Sequence, residues 1–313
     1  MNLPNRRPLP RTFWFRIVGV PLVLAVLLHR LDYQTIAIAL KTLSTGDLIL
    51  PMIIFLLGMA VRTFRWYYQL TKLNIHFSTI PMIRGFGLGI LVGALTPLRL
   101  GEFIRIAPLS PSAASSSRAL AAGAVVVERF NDLFIVLFVL AFGALLDGFV
   151  LPALIISLPC LALAVLLLWP GTQGAALFRG PAPLRRILDP LLRARATMAI
   201  GPRLLFIGLS LSAYALNMCG GLLIYRAFAP IQAEAFFFRI PLITLINILP
   251  ISVGGIGVRE LTAMEVFGTL GYPPSSAALA ATMLFVGANI LPSALLWLGA
   301  SLLASMNVRF SSP

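Results

Sequence analysis

Residues 150–169 form a run of twenty side chains with no charge among them. A hydrocarbon core about 30 Å thick is crossed by about 20 apolar residues in helical form. Stretches at 14–29, 48–68, 119–146, 204–228 and 275–303 read the same way, so the sequence predicts six full spans. Only 11% of the residues are charged and 59% are hydrophobic. A soluble domain carries roughly a quarter charged residues, and so few charges cannot cover a surface facing water. The expectation is one polytopic, all-α integral membrane domain over residues 1–313.

The formal net charge is +14, and nearly all of it is arginine, since Lys41 and Lys72 are the only lysines. These charges sit in short loops between apolar runs rather than on one basic face. Such a pattern speaks against nucleic acid as a partner and for anionic lipid headgroups and cytoplasmic loops. Cys160 and Cys219 lie in apolar stretches, and His29 and His76 stand apart, so no metal-ligand spacing exists and no cofactor is expected. Arg6, Arg7, Arg11 and Arg16 precede an apolar run in the manner of a signal peptide. His29-Arg30-Leu31-Asp32 follows it without a small-residue cleavage site, so an uncleaved first span is expected.

The basic loops set the topology. The N-terminal cluster, the loop bearing Arg62, Arg65, Lys72 and Arg84, and the amphipathic loop 171–203 should all be cytoplasmic. Two more apolar stretches are broken and leave no room for a net crossing. Residues 82–109 are interrupted at Thr96-Pro97-Leu98-Arg99-Leu100-Gly101, where a helix is expected to restart near Leu98–Gly101. Residues 236–270 are interrupted at Pro250-Ile251-Ser252-Val253-Gly254-Gly255-Ile256-Gly257. Each is expected to enter the membrane and return as a re-entrant helical hairpin, from opposite sides. Pro97 and Gly101 are spaced as Pro250 and Gly254 are, which suggests an inverted repeat of about 48–146 and 204–303. Both termini should then be cytoplasmic. Irregular backbone at membrane depth is tolerated where it is buried in protein or lines a wet cavity, and paired breaks in two halves point to a transporter's central site.

Charges inside apolar spans are costly and tend to be functional. Arg99, Glu102 and Arg105 follow the first break, and Glu102 can pair with either arginine at i±3, leaving one for an anion. Glu128, Arg129 and Asp132 lie within a long apolar helix. The two carboxylates share a face and can hold Arg105, Arg129 or Arg259, or relay a proton. Gly254, Gly255 and Gly257 permit close backbone approach, and a helix starting near Gly257 would offer N–H groups and its positive end to an anion. Arg259 adds a charge there, and Glu260 can cap it. Gly85, Gly87, Gly89 and Gly93 read as a helix-packing face. Arg62, Arg65 and Trp66 read as interfacial anchors at a span's cytoplasmic end.

These residues carry a resemblance. The chain is similar to the lysylphosphatidylglycerol synthase transmembrane-region family in Arg62-Thr63-Phe64-Arg65-Trp66, in Pro97-Leu98-Arg99-Leu100-Gly101-Glu102-Phe103-Ile104-Arg105, in Glu128-Arg129 with Asp132, and in Leu249-Pro250-Ile251-Ser252-Val253-Gly254-Gly255-Ile256-Gly257-Val258-Arg259-Glu260. It departs where members often have asparagines ahead of the first motif, here Gly93 and Ala94. Many members also carry an arginine in the final helix, where this chain offers Asn289 as the nearest polar residue. The resemblance implies a bacterial inner membrane and lipid translocation. The chain ends at Pro313 soon after the last span, so the aminoacyl-transferring domain of the resistance factors is not expected. Enzyme motifs are absent from the sequence, so no enzymatic activity is expected, with an intramembrane enzyme using Glu or Asp as the open alternative.

The expected function is a flippase for an anionic, aminoacylated or glycosylated lipid headgroup. Arg259, Arg105 and Arg99, with Gly254, Gly255 and Gly257, would bind that headgroup. Glu102, Glu128, Arg129, Asp132 and Glu260 would support them or couple protons. A secondary transporter of a soluble anion or amphipathic compound is one alternative. A non-transporting partner of a lipid- or glycan-modifying enzyme is another. Expected partners are membrane lipids, with such an enzyme or a second copy of the chain as further possibilities.

Overall fold

A computed structural model describes residues 28–109, 115–168, 199–248 and 253–310. Nearly all of the expected first span at 14–29 and of the basic loop 171–203, together with Pro250, lie outside the described residues. Among the described residues the chain is all helical, with no strand. Among these residues four helices are long and apolar enough to cross a membrane: Thr45–Lys72, Val150–Leu168, Ile200–Phe228 and Pro274–Met306.

The order is α1 (Tyr33–Thr42), α2 (Thr45–Lys72), α3 (Thr79–Leu95), a 3-10 segment (Pro97–Ile106), α4 (Ser115–Leu146), α5 (Val150–Leu168) and α6 (Ile200–Phe228). Then come α7 (Ala233–Ile248), α8 (Val258–Gly268) and α9 (Pro274–Phe285). A π-helical turn at Val286–Ile290 joins α9 to α10 (Leu291–Phe310).

α2 shows why the chain folds inside-out relative to a soluble bundle. Ser44 accepts from the Asp47 N–H and the Asp47 carboxylate accepts from the Ser44 N–H, a capping box that starts the helix. Its buried residues, among them Phe55, Gly58, Arg62, Arg65, Trp66 and Gln69, recur at helical spacing on one stripe. Leu48, Ile49, Ile53, Leu57 and Phe64 point outward and are exposed. The polar side chains therefore face protein and the large apolar ones face out, the distribution expected in lipid.

Close contacts are made at glycines. A β-carbon on Gly85 would sit 2.4 Å from Pro108, on Gly89 3.1 Å from Arg105, and on Gly93 2.4 Å from Glu102. As the first partner moves forward the second moves back, so α3 and the 3-10 segment run antiparallel as a helical hairpin. Gly101 closes it, with its missing β-carbon 2.6 Å from the Val92 backbone. Gly87 faces the other way, 2.9 Å from the backbone of Ser293 and Trp297 on α10. The helix expected to restart near Leu98–Gly101 is instead a ten-residue 3-10 run. Its tighter winding accompanies a left-handed Arg99, with φ of 55°.

The second break is made by glycines. Gly254, Gly255 and Gly257 have φ of 64°, 75° and 82°, values that side chains with a β-carbon adopt only under strain. A β-carbon on Gly254 would lie 2.6 Å from the carbonyl oxygen of Ala94. The two interruptions of the chain thus touch.

The glycine contacts lead to a stability prediction. Gly101→Ala drives a methyl into backbone and should cost about 1–3 kcal/mol. Gly299→Ala meets nothing within 4 Å and should be neutral or stabilising by up to about 1 kcal/mol, because alanine favours helix. Thermal unfolding of the two variants in detergent, compared with the parent, checks the difference.

Candidate functional site

α4 projects Glu128 and Asp132 one turn apart toward α2 and the 3-10 segment. Glu128 is fully buried and lies against three guanidinium groups. Arg105 reaches it with two bonds of 3.2 and 2.8 Å. Arg129 donates at 2.9 Å, and Arg65 donates from α2. Arg65 also pairs with Asp132 at 2.7 Å and donates to Ser210 of α6, which accepts from Asn131 as well. Arg129 bridges Glu102 at 3.1 Å and Asp132 at 3.0 Å. Arg105 is held between rings, with its guanidinium carbon 4.2 Å from the centroid of Trp66 and 5.5 Å from that of Phe86. Such stacking suits a planar guanidinium.

Arg62, Arg65 and Trp66 are therefore not interfacial anchors. They are 7%, 2% and 0% exposed, because the stripe they share with Phe55 and Gly58 packs against α6 and the final helix. The sequence signal was the spacing itself, which puts Phe64 outside and its charged neighbours inside. Of the arginines expected near Glu128 and Asp132, Arg105 and Arg129 are there. Arg259 is elsewhere, bonded through Nε to Glu260 at 2.9 Å and stacked 4.0 Å from the ring centroid of Phe285. Glu260 also accepts from the Gly257 N–H at 2.7 Å and from the Thr282 hydroxyl at 2.8 Å. The start of α8 is thus occupied by a carboxylate of its own first turn.

A cavity of about 480 Å³ lies between the two chain breaks. Arg62, Arg65, Arg99, Arg129 and Arg259 line it, with Asp132 as the acidic side chain among the lining residues. Gly254 and Gly255 contribute backbone. Arg105, Glu102, Glu128, Glu260 and Gly257 stand behind this lining rather than on it. The remaining wall is largely apolar, and includes Met218, Ile240, Ile243, Leu284 and Phe285. The lining is thus both cationic and apolar, and Arg259 stacks on one of its aromatic rings.

The arginines differ in how far they are engaged. Arg65 and Arg129 are each held by two or more carboxylates. Arg99 lies 3.5 Å from Glu102 and is 39% exposed. Arg62 has no carboxylate within ion-pair distance among the described residues, and its Nη1 reaches Asn289 at only 3.4 Å. Asn289 is thus a neutral neighbour of Arg62. Tyr214, Asn217 and Asn247, which the sequence did not single out, also line the cavity. The Tyr214 hydroxyl and both amide oxygens are buried without a hydrogen-bond partner. No cluster of three metal-ligating side chains occurs among the described residues.

Fold and site together define a helical membrane domain built around a buried arginine–carboxylate cluster. Residues 13–296 match the family described as lysylphosphatidylglycerol synthase TM region, and the chain belongs to that family. The family is a membrane domain associated with lipid-related transport or synthesis. No curated protein and no solved structure matches the chain.

Two substitutions at this cluster should move stability in opposite directions. Glu128→Gln leaves three buried guanidinium groups undercompensated and should destabilise by about 3–5 kcal/mol. Arg62→Met removes a buried charge that has no carboxylate and should raise the unfolding temperature, since replacing buried ions by apolar groups is often stabilising. Thermal unfolding of the two purified variants checks both signs.

Proposed function

We propose that this protein is a lipid translocase, moving a lipid with an anionic headgroup across a bacterial inner membrane. The observation that carries the reading is the mixed lining of the cavity. Its five arginines suit a phosphate, and its many apolar side chains suit an acyl or isoprenoid chain. A ligand that is charged at one end and oily at the other matches both kinds of lining. Membership of a family tied to lipid transport or synthesis supports it.

The transport reading goes with six spans, two opposed re-entrant hairpins, an inverted repeat and cytoplasmic termini. Support comes from how the elements pair. α2 packs on α6, α3 on α10, and α4 on α7. If the halves are exchanged, α2 maps to α6, α3 to α7, and α4 to the α9–α10 helix, and this set of packings maps onto itself. The hairpin of α3 with the 3-10 segment then corresponds to α7 with α8, which also pack together. Two hairpins whose tips meet, as Gly254 meets Ala94, place irregular backbone beside a cavity, where it is tolerated. In this reading Arg259, Arg99 and Arg62 hold the headgroup. Glu102, Glu128, Asp132 and Glu260 fix the arginines, with Arg105 and Arg129 knitting the cluster together. The chain performs no covalent chemistry, and its partners are lipids.

Leaflet exchange in proteoliposomes tests the proposal. Labelled lipid is placed in both leaflets, the outer label is quenched, and loss of protection is compared between the parent and Arg259→Ala. The expected outcome is protein-dependent exchange that falls at least about tenfold in the variant, the equivalent of one charge-assisted hydrogen bond. Exchange of no lipid by folded protein would overturn the reading in favour of a soluble anion.

A further inference from the structure

The same cavity carries an inference about which headgroup it takes, and that inference rests on its being a lipid site. The charges around it do not balance. The six arginines of the two clusters, Arg62, Arg65, Arg99, Arg105, Arg129 and Arg259, meet four carboxylates, Glu102, Glu128, Asp132 and Glu260. Two positive charges are in excess among the described residues. An uncompensated ion costs several kcal/mol away from bulk water, so a ligand bringing two negative charges is favoured over one bringing a single charge or none.

The hydrogen-bonding inventory points the same way. Arg62, Arg99 and Arg259 come from three different elements, and each keeps donors that no carboxylate takes. The amide oxygen of Asn217 lies over Gly58, 3.0 Å from where its β-carbon would be, and that of Asn247 lies 3.1 Å from the corresponding position on Gly255. Both side chains belong to the cavity lining, and each amide carries two N–H donors beside its oxygen. The one lining carboxylate, Asp132, already accepts from Arg65 and Arg129. The wall is therefore rich in donors, and its one lining carboxylate is already taken, which leaves an ammonium group only neutral oxygens such as those of Asn217 and Asn247.

We propose that the cavity selects a lipid ending in a terminal phosphate, a phosphomonoester or diphosphate, and rejects zwitterionic and aminoacylated headgroups. A phosphomonoester carries about −1.5 to −2 charges at neutral pH and three acceptor oxygens. A phosphodiester such as phosphatidylglycerol brings one charge and two free oxygens. A lysyl ester adds cationic groups to a wall that is already cationic.

Competition binding to the full chain in neutral detergent tests this, with fluorescent phosphatidic acid as the probe. The competitors are phosphatidylglycerol, lysyl-phosphatidylglycerol, phosphatidylethanolamine, inorganic phosphate and glycerol 3-phosphate. The expected result is that unlabelled phosphatidic acid competes at least about tenfold better than phosphatidylglycerol, the worth of one further charge-assisted contact. The lysyl ester and phosphatidylethanolamine should not compete. Arg62→Met and Asn217→Ala should each weaken the probe, and Arg62→Lys should recover part of the loss. Equal competition by all the lipids, or preference for the lysyl ester, would overturn the inference. Leaflet exchange of those same lipids would still leave the translocase reading standing. Competition by glycerol 3-phosphate as strong as by the lipid would overturn the lipid source and leave the terminal phosphate. Selective binding of phosphatidic acid without any leaflet exchange would uphold the inference and overturn translocation.

Discussion

The rest of the structure depends on the Glu128 carboxylate. Three guanidinium groups converge on it from three elements: Arg65 from α2, Arg105 from the 3-10 segment, and Arg129 from its own helix. Bringing any one of these groups out of water is costly. Together with Glu102 and Asp132 they offset one another's charge, and the geometry that allows this is narrow. Glu128 therefore fixes where the first hairpin ends relative to α2 and α4. The aromatic rings of Trp66 and Phe86 hold Arg105 flat, so the pairing fixes orientation as well as distance.

That arrangement needs the chain to come close to itself, and glycine makes this possible. Where α3 meets the returning segment, three of its glycines face Pro108, Arg105 and Glu102 in turn. Any side chain there would push the carboxylates and arginines apart. The sequence thus specifies the site twice, once through the charged residues and once through the empty positions that let them meet. The second break works differently. Its glycines adopt backbone angles that other residues reach only under strain, and the turn they form places Arg259 and Glu260 at the start of α8.

Much of this was legible in the sequence. Long uncharged runs gave a helical membrane domain, and the two interruptions fell where the helices do break. The carboxylates of α4 and the arginines after Pro97 were recognisable because charge is rare in such surroundings. Other features needed three dimensions. Arg62 and Arg65 lie near one end of an apolar helix, and linear position alone could not separate an interfacial anchor from a buried charge. Their partners are 63 or more residues away in sequence. Glycine-rich hairpins also hide their register, so the 3-10 winding after Thr96 could not be read from a pattern that suits an α-helix equally well. Tyr214, Asn217 and Asn247 carry no charge and follow no motif, so nothing marked them until the cavity brought them together.

Phe55 occupies an unusual place in this framework. Its ring is nearly fully buried and fills the space above two glycines, Gly220 on α6 and Gly287 in the π-helical turn, each of whose β-carbons would lie 2.6 Å from it. It sits on α2 two turns before Arg62, on the same stripe. Packed protein interiors resist compression, so these three helices cannot slide freely past one another at that level. Phe55 thereby keys the axial register of these helices, and with it the height at which Arg62, two turns further along α2, meets the cavity.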